Sequence, residues 1–413
     1  MSIKAFLIAA FSAFVQYYDY HLFGFLAIKV AKHFLPEQGV ILQLQNAYLI
    51  MAIAMISKPL GALLLGKIGD TYGRSNIFNI SLIGTAIGSC IIALTPDYSV
   101  VGIISTILLL CARMLICALV SSGSDSVRIY VYEHIGSNKQ ALSVSITHIF
   151  MQAGSFFASS SAWFFTLESM PSYGWRISFL LGSLFGIIVI FLKNKFNVQD
   201  ITDIKNEPKF AEFKELSTIN IIGKHFILFL YCMIIAGCLG STTQFFIIFF
   251  GTYNFEILKN IKQSDMQFYI SAALCLYMIF SLLSGYLADK IGCYKVVLGA
   301  AAMLIIASLG HIYVLNNNKV SIKLFFLTIA ILPFLTMPAA VMLKQSIPIV
   351  IRYRIFSLGH AVGSIIISAP TAFISTLVYR KTGIPWLPVL YFITTIILVS
   401  ISLIKIKKLS KTA

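Results

Sequence analysis

The sequence predicts an all-α integral membrane protein with about twelve spans, arranged as two similar halves. Three observations predict it: a composition too apolar for a soluble fold, continuous apolar runs of membrane-crossing length, and a charged loop pattern that occurs twice. Of 413 residues, 58% are hydrophobic and 11% charged, with a mean hydropathy of +0.89. A water-soluble domain needs more polar surface than that to cover its core. Runs such as 5–27, 77–94, 221–250, 296–314 and 387–403 approach the roughly 20 residues that carry a helix across about 30 Å of hydrocarbon. They are continuous rather than alternating with a period of two, which argues against a β-barrel.

In chain order the spans are expected near 5–28, 40–66, 76–95, 99–121, 141–165, 175–193, 223–250, 266–288, 295–314, 321–343, 355–379 and 385–404. The first begins like a signal peptide after Lys4. It then runs into Gln16-Tyr17-Tyr18-Asp19 with no small-residue cleavage site, so it reads as a retained span. The polar stretch from Lys193 to Lys224 follows the sixth span. It divides the chain into an N-terminal six-helix bundle (1–193), a linker (194–222) with a short amphipathic surface helix, and a C-terminal six-helix bundle (223–413).

Loop charge sets the orientation. One side holds Lys67, Arg74, Lys139, the linker lysines, Lys290, Lys295, Lys344, Arg352, Arg354 and the basic tail. The other holds fewer, among them Lys29, Lys32, Lys259, Lys262, Arg380 and Lys381. The excess places both termini in the cytoplasm of a cell inner (plasma) membrane protein. It also accounts for the net charge of +16 without nucleic acid as a partner. The seven cysteines are scattered and form no C-x-x-C pair, so neither a disulfide framework nor a metal is expected.

The repeat supports two halves. Gly66 to Arg74 after the second span and Gly285 to Lys295 after the eighth share G-x-x-x-D-x-x-G with a cation beyond. Parallel repeats of this kind are a transporter pattern. The glycines Gly66, Gly73, Gly285 and Gly292 permit tight turns and close helix approach. Asp70 stands where a helix N-terminus stabilises a carboxylate, Asp289 is its counterpart, and Arg74 can pair with Asp70 or face lipid headgroups.

This loop resembles the signature of the major facilitator superfamily. The longer run Lys58-Pro59-Leu60-Gly61 through Gly73-Arg74 is similar to its metabolite:proton symporter family, which includes proline/glycine betaine transporters and α-ketoglutarate and citrate permeases. Tyr18-Asp19-Tyr20 with Phe23-Gly24-Phe25, Tyr173-Gly174-Trp175-Arg176-Ile177, and Arg352-Tyr353 with Ser357-Leu358-Gly359 resemble further family segments. The resemblance, nearest the proline/betaine branch, implies the major facilitator fold and proton-driven uptake, with a fourth-span Arg coupling proton to substrate. The chain departs from the pattern at Gln16, where a Glu is common. It departs again at Ile116, Cys117 and Ser121-Ser122-Gly123 in the fourth span, and at His360-Ala361 in the eleventh. Those positions fall in the expected cavity, so the substrate does not transfer with the scaffold.

Ionisable groups inside spans are costly and therefore informative. Gln16, Asp19, Tyr20 and Phe23 follow i, i+3, i+4, i+7, which predicts one shared face turned into the bundle. Asp19 is the expected proton carrier and Arg113 the partner whose approach or withdrawal shifts its charge, against the alternative of a static Asp–Arg pair. Arg113 also suits a substrate carboxylate, and Tyr20 offers a ring face to a quaternary ammonium. Gln152, Gln244 and His360 complete the expected substrate-binding set with Gln16, Tyr20 and Arg113; His148 is a weaker candidate. Asp125 and Arg128 read as a structural i, i+3 pair, Lys58 as a side chain that snorkels or pairs at the cytoplasmic side, and Pro333, Pro338 and Pro370 as helix breaks for rocking.

The reading is a monomeric proton symporter of a small polar metabolite, foremost a zwitterion such as proline or glycine betaine. Its partners are substrate, protons and lipid, with no cofactor. A dicarboxylate such as α-ketoglutarate or citrate is the alternative cargo, and a non-transporting membrane sensor the alternative class. No Walker loop, H-E-x-x-H or G-x-S-x-G is present, so neither ATP drive nor an enzyme is expected.

Overall fold

A computed structural model describes residues 3–72, 74–134, 139–195, 218–258 and 261–412. The apolar runs fold as helices, and among the described residues there is no strand. The chain opens with α1 (Ile3–Phe25) and a short α2 (Ala27–Phe34). Next, α3 (Val40–Ala54) passes through a 3₁₀ turn into α4 (Lys58–Tyr72), and α5 (Arg74–Leu94) follows. The one-turn α6 (Tyr98–Val101) ends at Gly102, whose φ of 60° favours glycine, and leads into α7 (Ile103–His134). Then come α8 (Gln140–Phe164), α9 (Gly174–Lys195) and α10 (Thr218–Lys224). After these, α11 (Phe226–Thr243) continues through two π-helical stretches, Gln244–Phe249 and Tyr253–Ile257, that flank α12 (Phe250–Thr252). The remaining helices are α13 (Gln263–Ile291), α14 (Cys293–Asn316), α15 (Ile322–Ser346), α16 (Ile349–Gly363), α17 (Thr371–Thr382) and α18 (Pro388–Thr412).

Among the described residues, 10 helices are long and apolar enough to cross a membrane. The two expected spans outside that set are α1 and α5. In α1 the polar stretch 16–21 lowers the mean hydropathy, and in α5 the apolar segment is the shorter Ile80–Leu94. Burial is inverted relative to a soluble protein: Leu64, Phe191 and Ile306 are exposed on the outside, while Gln16, Asp19 and Arg113 are fully buried. Apolar lipid tails are the solvent such a surface suits.

The helix order in space follows from close contacts. α8 runs along both α1 and α13, α5 lies between α7 and α9, and α11 packs on α16 and α18. Small residues permit these approaches: a Cβ on Gly154 of α8 would strike the Phe14 carbonyl of α1.

Some expectations change. Pro333 and Pro338 sit inside an unbroken α15; the neighbouring Ser284 hydroxyl donates to the Pro333 carbonyl at 2.9 Å. Pro370 stands between the π-helical turn Ser364–Ser368 and α17. Most of the linker and Gly73 lie outside the described residues, as do the side chains of Asp70 and Arg74; Gly66 and Asp70 fall within α4, and Arg74 starts α5. In the second copy of the loop, Gly292 caps α13 with φ 95°, a backbone conformation that glycine adopts without steric cost.

Candidate functional site

Helices α1, α4, α7, α8, α11, α13, α15 and α16 surround a central cavity of about 150 Å³, at least ten times the roughly 10–15 Å³ that one water needs. Six of these helices are the first, fourth, fifth, seventh, tenth and eleventh expected spans. The second adds Lys58 and the eighth adds Tyr277.

The first span divides its polar residues between two faces, which corrects the single face expected. Tyr17, Tyr20 and His21 line the cavity, whereas Gln16 and Asp19 turn away from it toward α5, α7 and α9. Tyr20 lies at the border of the two stripes, and its long side chain reaches the cavity.

Asp19 is fully buried. Its Oδ1 accepts a hydrogen bond from Ser89 at 2.6 Å, and its Oδ2 has no partner. Gly182 of α9 leaves room for the carboxylate, since a Cβ there would collide with Oδ1. The Arg113 guanidinium reaches the same stretch of α1 but donates to the backbone carbonyls of Asp19 and Tyr20, both at 3.4 Å. It lies 4.5 Å from the Phe23 ring centroid. The expected side-chain ion pair between Asp19 and Arg113 is therefore not made among the described contacts, and neither residue lines the cavity. Gln16 donates to Ser81 at 3.1 Å, and Gly123 provides its space. Two departures from the family pattern thus pack against each other.

On the cavity side, the Tyr20 hydroxyl accepts from Lys58 Nζ at 3.2 Å and from Gln244 Nε2 at 3.4 Å. Lys58 is buried and does not snorkel outward, which corrects that expectation. Along the wall Asp125, buried, faces Arg128 at 3.3 Å and His360 Nδ1 at 2.9 Å. Arg128 also donates to the Tyr17 hydroxyl. The expected Asp125–Arg128 pair is present, and His360 extends it from α7 to α16. Gln152 Oε1, Gln244 Oε1, His148 Nδ1 and Ser121 Oγ are buried without partners. Buried polar atoms are normally satisfied, so these are acceptors and donors available to a polar ligand.

Sequence reasoning did not place Lys58 or Lys344 in the cavity, and it read Arg128 first as the structural partner of Asp125 and only under a dicarboxylate cargo as a binding cation. The signal was present for Lys58, a cation within a span; Lys344 was assigned to a loop because α15 extends to Ser346, past its expected end.

Contacts at the two ends close the bundle. At the end bearing the repeated loop, the Asp289 carboxylate accepts from the Ala141 and Leu142 amides at the start of α8, both at 3.0 Å. At the other, Arg176 reaches Asp97 and donates to the Ala93 carbonyl at 2.8 Å, while His33 Nδ1 lies 2.9 Å from Asp97. Partial burial works against ionisation of Asp97, yet His33 and Arg176 hold its carboxyl below the usual carboxylate range.

Comparison with known proteins agrees with this architecture. The family model described as Major Facilitator Superfamily matches residues 9–348. A putative proline/betaine transporter of Staphylococcus aureus (strain MSSA476) is 26% identical over 407 residues, covering 96% of this chain and 86% of the relative. The proline/betaine transporter of Salmonella typhimurium is 25% identical over 338 residues, covering 77% and 66%. Among solved structures, a proton:xylose symporter, XylE, bound to 6-bromo-6-deoxy-D-glucose superposes with a TM-score of 0.74 at 13% identity, covering 97% and 95%. The chain belongs to the major facilitator superfamily.

Proposed function

We propose that the chain is a proton-coupled secondary transporter of a small polar metabolite bearing a carboxylate, working in a bacterial inner membrane with both termini cytoplasmic. The observation that carries the reading is Asp19: a carboxylate with no exposed surface, one oxygen unpartnered, held one residue from a cavity-lining tyrosine. A buried carboxylate of this kind can exchange a proton as its surroundings change, and intramembrane acids mark proton relays. Arg113, bonded to the successive backbone carbonyls of Asp19 and Tyr20, is the proposed coupling residue. It would carry displacement of the cavity face of α1 to the acid face, and it would do so without touching cargo.

In this reading the segments 1–193 and 223–413 rock as two bundles about the cavity, joined by the 194–222 linker. The duplicated loops, with Gly66, Asp70, Gly73 and Arg74 in one and Gly285, Asp289 and Gly292 in the other, serve as conformational latches. Asp289 on the α8 amides supports that role for the second loop. Tyr20, Gln152, Gln244 and His360 are proposed cargo contacts; Gln16 is a positioning residue. The names of the curated relatives bring proline or betaine as candidate cargo, and a dicarboxylate meets the same carboxylate requirement.

Uptake into proteoliposomes under an imposed pH gradient tests the reading. Wild type should accumulate its substrate against a concentration gradient, and Asp19→Asn should lose accumulation while still inserting and purifying normally. Full accumulation by Asp19→Asn would remove Asp19 from the mechanism.

A further inference from the structure

We infer that the cavity takes a small dianion, two anionic groups on a short carbon frame, anchored by Lys58 and Arg128, and that it discriminates against zwitterions. The inference rests on the transport reading only in naming the ligand as cargo. Three cations, Lys58, Arg128 and Lys344, line the cavity, and among the described residues no Asp or Glu does. Asp125 lies behind the wall, where Arg128 and His360 already engage it. An anion entering this space gains from desolvated donors, whereas an ammonium group finds no carboxylate to face.

A quaternary ammonium has one further option, the face of an aromatic ring. The protein's own cations hold those faces. Lys58 Nζ lies 4.8 Å from the Tyr20 centroid, Arg128 Cζ 5.6 Å from Tyr17 and Lys344 Nζ 5.6 Å from Phe356. Phe356 also stacks on His360, and Tyr277 packs beside His148 at 6.0 Å. A betaine headgroup would have to displace a lysine or arginine from Tyr20, Tyr17 or Phe356, and at Tyr277 it would compete with the His148 ring.

The two anchors are separate. Lys58 is tethered at Tyr20 and Arg128 at Tyr17, one helical turn apart, with ring centroids 6.4 Å from each other. Two anionic groups at the ends of a short chain match that separation better than one. Gln244 beside Lys58, and Gln152 beside Met151, a contact of Arg128, offer neutral polar atoms to the frame between them.

Equilibrium binding to the purified full-length protein in nanodiscs tests this with succinate, glutarate, glycine betaine and proline as probes. Succinate or glutarate should bind at least about tenfold more tightly than either zwitterion, and Lys58→Met should weaken the dianion about tenfold or more, the scale of one lost charge-assisted contact. Because Arg128→Gln alone strands Asp125, the paired change Asp125→Asn with Arg128→Gln serves as the second variant, with the same loss expected. Thermal melting confirms that each variant is folded. Tighter binding of betaine or proline, absence of dianion binding at millimolar concentration, or dianion binding indifferent to both variants would each overturn the inference. Proton-driven betaine uptake would sink the dianion while leaving transport intact; dianion binding without flux would do the reverse.

Discussion

At the scale of single residues, the site is defined by where small side chains leave room for charged ones. Gly182 and Gly123 carry no side chain because Asp19 and Gln16 occupy the space a Cβ would need. Gly182→Ala should therefore destabilise the protein by about 1–3 kcal/mol through overpacking, read as a lowered melting temperature, and should reduce proton-driven uptake together with it. An unchanged melting temperature would mean that the Asp19 carboxylate moves aside freely. Residue identity alone could not reveal this arrangement. Spacing places Gln16, Asp19 and Tyr20 on one stripe, but which neighbour each side chain meets depends on helices far away in sequence. The polar stretch itself was legible because an Asp in a span has few uses; its division into a cavity face and an acid face was not.

At the scale of elements, two links between distant helices deserve measurement. His360 of α16 meets Asp125 of α7 at 2.9 Å, joining two helices that both line the cavity. His360→Phe should cost about 1.5–3 kcal/mol, the range for a hydrogen bond to a charged group. A double-mutant cycle with Asp125→Asn should return a coupling of comparable size, while additive effects would show the link to be energetically silent. At the other end, the α9 start, the loop before α6 and α2 meet at Asp97. A carboxylate held below its usual range stabilises the fold at pH values above the unfolded-state value of about 3.9, and that contribution fades as pH falls through the lowered folded value. Asp97→Asn should thus lose about 0.5–1 kcal/mol at neutral pH, the scale of a partly exposed ion pair. The deficit relative to wild type should vanish in melting curves taken at acidic pH. A deficit independent of pH would assign the loss to packing. The Tyr173 to Ile177 motif pointed to this segment, but Asp97 gave no sign in the sequence of being its partner.

At the scale of the whole molecule, hydropathy and the repeat made the architecture legible. Continuous apolar runs can satisfy their backbone in lipid only as helices, and ten such helices are present among the described residues. Less legible was the composition of the cavity. Lys58 is within its expected span and Lys344 just past the end of its own, yet both are buried and line the cavity. The Asp289 carboxylate ties α13 to the start of α8: Asp289→Asn should weaken that contact by about 1 kcal/mol, as for loss of a charged helix-terminal contact. Cysteine-accessibility labelling should then report more frequent opening at that end; unaltered labelling would limit Asp289 to local capping.

In the proposed mechanism cargo and protons cross together through this bundle with Asp19 as the proton-bearing group. Its most direct measurement is the lumenal pH of proteoliposomes containing a trapped pH-sensitive dye, recorded when substrate is added outside with no initial pH gradient. Wild type should acidify the lumen as substrate enters, and Asp19→Asn should not. Substrate entry with no change in lumenal pH would contradict the account.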